Sequence, residues 1–309
     1  MCSQNDGSVA PAFQICKMSG REFSRFSEFI HSQCGIKLPL SKKVMLTSRL
    51  NRRLRALGMT SFEEYYNYII SPEGHSEELA QMIDVVTTNK TDFFRESVHF
   101  DILTQQILPT LLRSGRVGSK RKLYVWSAGC SSGEEPYTLA MVLSEFFAGN
   151  VKDKFSILAT DISTKVLATA RQGIYDKDLI EPVPNVLKHK YLMRGKNSHA
   201  GFFRVVPELR GCINFRKLNL MDRDFGIKTP IDIIFCRNVV IYFDRQTHIK
   251  LFDKFYNQLT PDGYLFIGHS ESLHGINGQF DAVIPTVYKK VNTRSPGESQ
   301  QRAFKGSQL

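Results

Sequence analysis

Apolar residues recur at helical spacing early in the chain. Farther on they gather into short runs separated by turn residues, and the change of period falls between residues 87 and 121. Ser19 and Glu22 have capping-box spacing, so a helix opens there, with Phe23, Phe26 and Ile30 on one face and Gly35 as its stop. Pro39 and Ser41 start a second helix that runs to about Leu57, with Leu46, Leu50, Leu54 and Leu57 inward. Ser61 with Glu64 caps a third helix through Tyr65 and Ile69. Ser71-Pro-Glu-Gly74 ends it, and Glu77 to Val86 forms a fourth. Residues 19–86 therefore read as an all-helical domain after a loose tail at 1–18. A linker follows at 87–121, with a helix over Asp101 to Leu112 and an exposed basic loop from Arg113 to Lys122.

From Lys122 the pattern alternates between strand and helix. Strands are expected at about 122–128, 155–160, 213–220, 231–236 and 264–268, with a last pair at 280–284 and 287–291. Helices are expected at about 134–148, 164–172 and 244–259. Alternation of this kind builds a mainly parallel sheet with right-handed crossovers, an α/β fold. The stretch 173–212 is too long for a simple connection, and Gly201 to Val206 within it reads as a strand, so a small β-subdomain is inserted there. The α/β domain spans 122–292, and the polar tail 293–309 reads as disordered.

Composition narrows the class. No apolar run in the 309 residues is long enough to span a bilayer, and the N-terminus has neither a basic nor an apolar signal region. The six cysteines are scattered with no CxxC pair, which fits a reduced, cytoplasmic protein and argues against a structural zinc site. The net charge of +11 favours an acidic partner without saying which. At about 100° per residue, Lys42, Arg49, Arg52 and Arg53 share one arc of the second helix. They form either a solvated basic face or a surface that meets an anionic partner.

The candidate chemistry centres on Trp126-Ser-Ala-Gly-Cys-Ser-Ser-Gly-Glu-Glu-Pro-Tyr137, a strand, a glycine turn and a helix start. Taken alone it is an ordinary βα turn or a ligand seat. Three later features favour the seat. Asp161 ends the second strand, where it suits ribose hydroxyls; Asn219-Leu220 ends the third, where an amide and an apolar group suit adenine; Leu259-Thr-Pro-Asp-Gly263 precedes the fifth. The glycines lack GxGxxG spacing, and Glu134 and Glu135 stand where a dinucleotide's pyrophosphate needs a free helix dipole. Two carboxylates suit a cationic sulfonium, which points to S-adenosyl-L-methionine.

These segments, with Thr88-Asn-Lys-Thr-Asp-Phe-Phe-Arg95, Thr160-Asp-Ile162, Phe235-Cys-Arg-Asn-Val-Val-Ile-Tyr-Phe-Asp244 and Pro261 to Glu271, resemble the signature segments of the CheR-type chemotaxis receptor methyltransferases. The resemblance covers residues 20 to 291. It implies a class I S-adenosylmethionine-dependent methyltransferase fold, Rossmann-like, with a helical N-terminal domain and an inserted β-subdomain. It also implies a protein-glutamate O-methyltransferase that forms glutamyl methyl esters on membrane chemoreceptors in chemotaxis adaptation and leaves S-adenosyl-L-homocysteine.

Carried over by motif position, cofactor contacts fall on Asn89, Thr91, Arg95, Glu134, Asp161, Asn219, Leu220, Arg237 and Asn238. Arg95 and Tyr242 are the candidates for orienting the reacting groups, and Lys42, Arg49, Arg52 and Arg53 would dock the acidic receptor helices. The run Met193 to Val205 resembles the form of the β-subdomain that binds a receptor C-terminal peptide. Thr91 as a helix cap stays open, as does an arginine at the end of the fourth strand that needs either a partner or a ligand. His269 reads as structural rather than as a base, and Cys130 and Cys236 as small core residues. Two rivals remain: a nucleic-acid methyltransferase, disfavoured by the lack of an Asn/Asp-Pro-Pro-Tyr motif and of an aromatic stacking series, and a cofactor-sensing module without turnover. The reading adopted is a monomer that binds no nucleic acid and does not insert into membranes.

Overall fold

The computed structural model describes residues 15–115, 117, 121–148, 154–273 and 278–291. Most of both predicted tails and part of the 113–122 loop lie outside them. The chain divides into two compact units, Met1–Thr87 and Thr88–Leu309.

The first unit holds α1 (Gly20–Cys34), α2 (Lys43–Leu57), α3 (Phe62–Ile70), α4 (Pro72–Glu77) and α5 (Leu79–Val86). The Ser19–Glu22 capping box forms in both directions, and Gly35 closes α1 in the left-handed region. Phe26, Leu46, Leu50, Leu54, Tyr65 and Ile69 fill its core. Two expectations change. Ser71-Pro-Glu-Gly74 opens a helix instead of only ending one: the Ser71 hydroxyl accepts from Gly74 N–H, and Pro72 sits in the first turn, where a missing N–H costs nothing. The loose tail does not reach residue 18. Asn51 of α2 is buried, accepts from Cys16 N–H at 2.9 Å and donates to Cys16 O at 3.0 Å, while Met18 packs into the core.

The second unit begins with the loop 88–97 and two helices, α6 (Val98–Ile102) and α7 (Leu108–Arg113), joined by a π turn at Leu103–Ile107. The π turn falls just before Pro109, which cannot donate to the preceding turn. Then follow β1 (Leu123–Ala128), α8 (Glu134–Phe147), β2 (Phe155–Asp161), α9 (Thr164–Gln172), β3 (Ile174–Asp176), α10 (Asn185–Tyr191), β4 (Leu192–Arg194), β5 (Phe202–Val205) and α11 (Pro207–Arg210). They are succeeded by β6 (Ile213–Lys217), β7 (Ile231–Cys236), α12 (Arg245–Gln258), β8 (Leu259–Ile267), β9 (Phe280–Ile284) and β10 (Val287–Lys290).

Seven strands form one sheet in the order β6-β2-β1-β7-β8-β10-β9. Pairing is parallel from β6 to β8, and only β10 runs against its neighbours. One face is covered by a core that includes Val125, Tyr137, Phe155 and Phe235, the other by one that includes Trp126, Leu251, Phe255 and Leu265. Strands buried on both faces explain the near-continuous apolar runs, such as Ile231 to Cys236. The chain winds outward from β1 in both directions, so the order reverses between β1 and β7. That places the switch-point crevice at the carboxyl ends of β1, β2 and β7.

The inserted subdomain has three strands, in the order β3-β5-β4, and the helix α10. Only β5 was legible in the sequence. β3 and β4 are three residues each, too short to show a period.

Candidate active site

At the carboxyl end of β1 the chain turns under two glycines. Gly129 has φ of 86°, and a Cβ there would lie 2.4 Å from Val239 Cγ2. Gly133 has φ of 103°, and its Cβ would lie 2.8 Å from Tyr175 Oη. Both N–H groups of Gly129 and Cys130 donate to Thr160 O, at 2.8 and 2.9 Å, which locks the turn to the end of β2. Between the glycines, Ser131 adopts φ of 49°, and its Oγ donates to Asn89 O at 2.7 Å. The loop that carries Asn89, Thr91 and Arg95 is thereby tied to the glycine turn. Tyr175, from the inserted subdomain, donates to Ser132 O at 2.7 Å and closes the other side.

Asp161 is 8% exposed. Its Oδ2 accepts from Ser131 N–H at 2.8 Å and its Oδ1 from Ser163 N–H at 2.9 Å. Glu134 heads α8 with both oxygens held by Ser132 Oγ, at 2.8 and 3.0 Å. Burial pushes its carboxyl up to about 7, against the pull of that hydroxyl. Asn219 and Leu220 lie past the end of β6, which stops at Lys217, in a turn where Asp222 N–H donates to Asn219 O and Met221 N–H to Asn219 Oδ1. The expected third strand is thus shorter, and a turn presents the adenine candidates. Lys254 of α12 clamps that turn by donating to Leu220 O and, at 2.9 Å, to Asp222 O.

Arg237 finds protein partners. Buried at the end of β7, it donates from Nε to Glu135 Oε2 at 2.8 Å and from Nη1 to Arg95 O at 2.8 Å and His99 Nδ1 at 3.0 Å. Glu96 Oε2 stands 3.6 Å away. Glu135 also accepts from Ser127 Oγ at 2.7 Å. The pair of glutamates therefore divides. Glu135 is the counter-ion of a buried arginine, whereas the Glu134 carboxylate is bonded by the Ser132 hydroxyl. Arg237 is correspondingly committed to the fold through its Nε and Nη1 atoms.

Arg95 Nη1 donates to Lys90 O, and its backbone lies between two left-handed residues, Phe94 at φ 54° and Glu96 at φ 53°. Thr91 sits in the loop well before α6, whose N-cap position is Ser97, so its reading as a helix cap is withdrawn. Asn238, at φ 59°, is held by Glu271: the Glu271 carboxylate accepts from Asn238 N–H at 2.9 Å, Gly268 N–H at 2.6 Å and Ile241 N–H at 3.2 Å. Tyr242 is half-buried in the turn Val240–Tyr242 that follows. Cys130 and Cys236 are buried, and burial raises both thiols. His269 is exposed, with its N–H on Glu96 Oε1 at 3.4 Å. Among the described residues, the ligand atoms of Glu96, His99 and His269 lie within 4.8 Å of one another, but the Arg237 guanidinium already provides the positive charge there.

The sequence reading missed Glu96, His99 and Glu271. Their signal was weak: Glu96 and His99 follow the Thr88–Arg95 motif, Glu271 is the last residue of the Pro261–Glu271 segment, and each declares its role through partners elsewhere in the chain.

In the helical unit the expected basic face is thinner than its spacing implied. Arg53 forms a two-armed pair with buried Glu78, at 2.7 Å on each arm, and the Tyr65 hydroxyl adds a third bond at 2.8 Å. Arg49 donates to Val86 O and to Thr87 O. Lys42 and Arg52 are exposed. Glu78, at the start of α5, thus brings an acid to this face from outside α2.

The switch-point crevice, the acid after β2 and the carboxylate heading α8 define a class I S-adenosylmethionine-dependent methyltransferase. The residues fit that cofactor: acceptors for hydroxyls at Asp161, an anionic group for an ammonium or sulfonium at Glu134, and an amide with an apolar neighbour at Asn219 and Leu220. The description "CheR methyltransferase, SAM binding domain" matches residues 89–289, and "CheR methyltransferase, all-alpha domain" matches 21–87. The chain belongs to the CheR methyltransferase family, and its cofactor is S-adenosylmethionine. It is 44% identical over 270 residues to a chemotaxis protein methyltransferase of Borreliella burgdorferi, covering 87% of this chain and 94% of that one. It is 40% identical over 271 residues to a chemotaxis protein methyltransferase of Escherichia coli, covering 88% and 91%.

Proposed function

We propose that the protein methylates glutamate side chains of membrane chemoreceptors, forming glutamyl methyl esters in chemotaxis adaptation. The observation that carries this reading is the near full-length similarity to proteins named chemotaxis protein methyltransferases. S-adenosylmethionine supplies an electrophilic methyl group on a sulfonium. Asp161, Asn219 and Leu220 would hold its adenosine part, Glu134 and the 89–95 loop its amino-acid part. A substrate glutamate has an ordinary pKa of about 4.3, so it arrives ionised and needs no general base. The protein's work is placement: Arg95 and Tyr242 orient the carboxylate or the cofactor. Exposed Lys42 and Arg52 supply the anion-facing surface of the helical domain, and the strands β3 to β5 are the candidate seat for a receptor C-terminal peptide. The protein works in the cytoplasm as a monomer.

The test is incubation with labelled S-adenosylmethionine and receptor cytoplasmic fragments, followed by mild base. Label released as methanol supports an ester. Base-stable label, label on added RNA or DNA, or no label would refute it.

A further inference from the structure

His99 belongs to no segment to which the sequence assigned a role, yet it is 1% exposed and sits among charged groups. Its Nδ1 lies 3.0 Å from Arg237 Nη1, and its Nε2 lies 2.7 Å from Thr286 Oγ1 in the turn between β9 and β10. A guanidinium only donates, so Nδ1 must accept, and the ring proton must sit on Nε2 and point at Thr286. The chain thus fixes the tautomer from two distant segments. The other titratable groups facing the ring are Glu96, whose Oε2 is 3.5 Å from Nδ1, and His269, whose ring lies 5.1 Å away edge to face. Phe266 packs against the ring from β8.

The same Nη1 of Arg237 that donates to His99 also donates to Arg95 O. That carbonyl belongs to the turn with left-handed residues on both sides of Arg95. A left-handed backbone at Phe and Glu is sustained only by its surroundings. Glu96, inside the turn, has its Oε1 engaged by Asn238 Nδ2 at 3.3 Å and His269 N–H at 3.4 Å.

We infer that His99 is a positioning residue for methyl transfer: as the neutral Nε2–H tautomer it aims Arg237 at the Arg95 carbonyl and so sets the turn that presents Arg95. A protonated ring would have no acceptor for Arg237 and would place two cations in contact. Burial, and then the Arg237 charge, lowers the His99 pKa to about 4, which keeps the ring neutral at physiological pH. The activity arm of the test rests on the function proposed above; the spectroscopic arm does not.

In ligand-free protein, ¹⁵N histidine NMR with His99→Asn for assignment should show a proton on Nε2 and no titration of that ring above pH 5. A proton on Nδ1, or a midpoint near the ordinary value of about 6.5, would overturn the inference. His99→Asn keeps an acceptor near the Nδ1 position, and His99→Leu keeps only bulk. The leucine variant should lose about tenfold or more in kcat/KM, and the asparagine variant should stay within about threefold of the parent. Thr286→Val, which leaves Arg237 and its partners intact, removes the acceptor for Nε2–H and should lower kcat/KM in the same direction. Equal losses in His99→Leu and His99→Asn, or an unaffected Thr286→Val, would mean that the ring only packs. If the parent protein transfers no methyl to receptor fragments, the proposed function fails. The positioning role is then read from S-adenosylmethionine affinity across the same variants, where an unchanged leucine variant refutes it.

Discussion

Replacing Glu135 by glutamine tests whether its charge serves Arg237 or the cofactor. The substitution keeps shape and one acceptor, so Arg237 Nε, now 2.8 Å from a carboxylate oxygen, can still find an amide oxygen. Only the charge is lost. Removing one partner of a buried ion pair costs roughly 3–5 kcal/mol, because the other charge stays desolvated and uncompensated. With one hydrogen bond retained, the lower end applies, about 3 kcal/mol. In a domain of 150–250 residues each kcal/mol moves the melting temperature by about 2–4 °C, so Tm should fall by about 6–12 °C. The sequence has a single tryptophan, and Trp126 is fully buried on β1 of the second unit. Its fluorescence therefore follows this unit without interference from the helical one. Glu96, 3.6 Å from Arg237, is the remaining counter-charge, so Glu96→Gln combined with Glu135→Gln should cost more than the sum of the two. S-adenosylmethionine affinity measured by calorimetry should change by less than about threefold, under 1 kcal/mol. A melting temperature lowered by less than about 2 °C together with tenfold weaker cofactor binding would mean that the Glu135 charge serves the cofactor and not Arg237.

Four further substitutions test other groups. Glu134 has a folded-state pKa raised from 4.5 to about 7, so its contribution to stability is present at low pH and lost as pH rises through that window. Glu134→Gln should then melt progressively higher than the parent as pH rises from about 4.5, levelling above about 7, while cofactor affinity rises with pH through about 7 in the parent and stays flat in the variant. A pH-independent Tm difference would contradict the first half. Asp161→Asn turns one acceptor into a donor facing Ser131 N–H or Ser163 N–H and should weaken S-adenosylmethionine binding at least about tenfold by calorimetry. In the helical unit, Lys42→Glu with Arg52→Glu should raise KM for receptor fragments while leaving Tm and cofactor affinity unchanged. Arg53→Glu should instead unfold that unit at lower temperature, because it sets a carboxylate against buried Glu78; unchanged circular-dichroism melting of Arg53→Glu would disprove the pairing.

What could be read along the chain and what could not divides on a physical line. Caps, glycine stops and apolar periods are local, and they placed α1, α3, α9 and the strands of the large sheet to within a residue or two at most ends. The expected strand at 213–220 ran too long because Leu218 and Leu220 continue the apolar pattern, although β2 ends at Asp161 and the backbone turns at Asn219. β3, β4 and α10 were missed because three-residue strands and a seven-residue helix carry too little pattern to separate from loop.

Charge is where locality fails most clearly, and the two corrected readings share one cause. A row of arginines on a helix reads as a free surface only if no acid comes from elsewhere, yet Arg53 is 25 positions from Glu78, and Arg237 is 102 from Glu135. Spacing along a helix cannot see such partners. Burial, in contrast, was legible: an arginine at the end of a buried, mostly apolar strand had to find a partner, whatever its identity. That requirement, applied to the motifs already in view, narrows the choice. Of the acids in the glycine-turn segment, Glu135 is one residue farther into α8 than Glu134, about 100° around the helix, so the two side chains leave the helix in different directions. Glu135 turns toward the carboxyl end of β7, where it meets Arg237, and Glu134 stays beside Ser132 in the glycine turn. The pair that looked like a doubled attraction for a cation thus divides: Glu135 holds Arg237, and Glu134 is left as the carboxylate of the proposed cofactor contact.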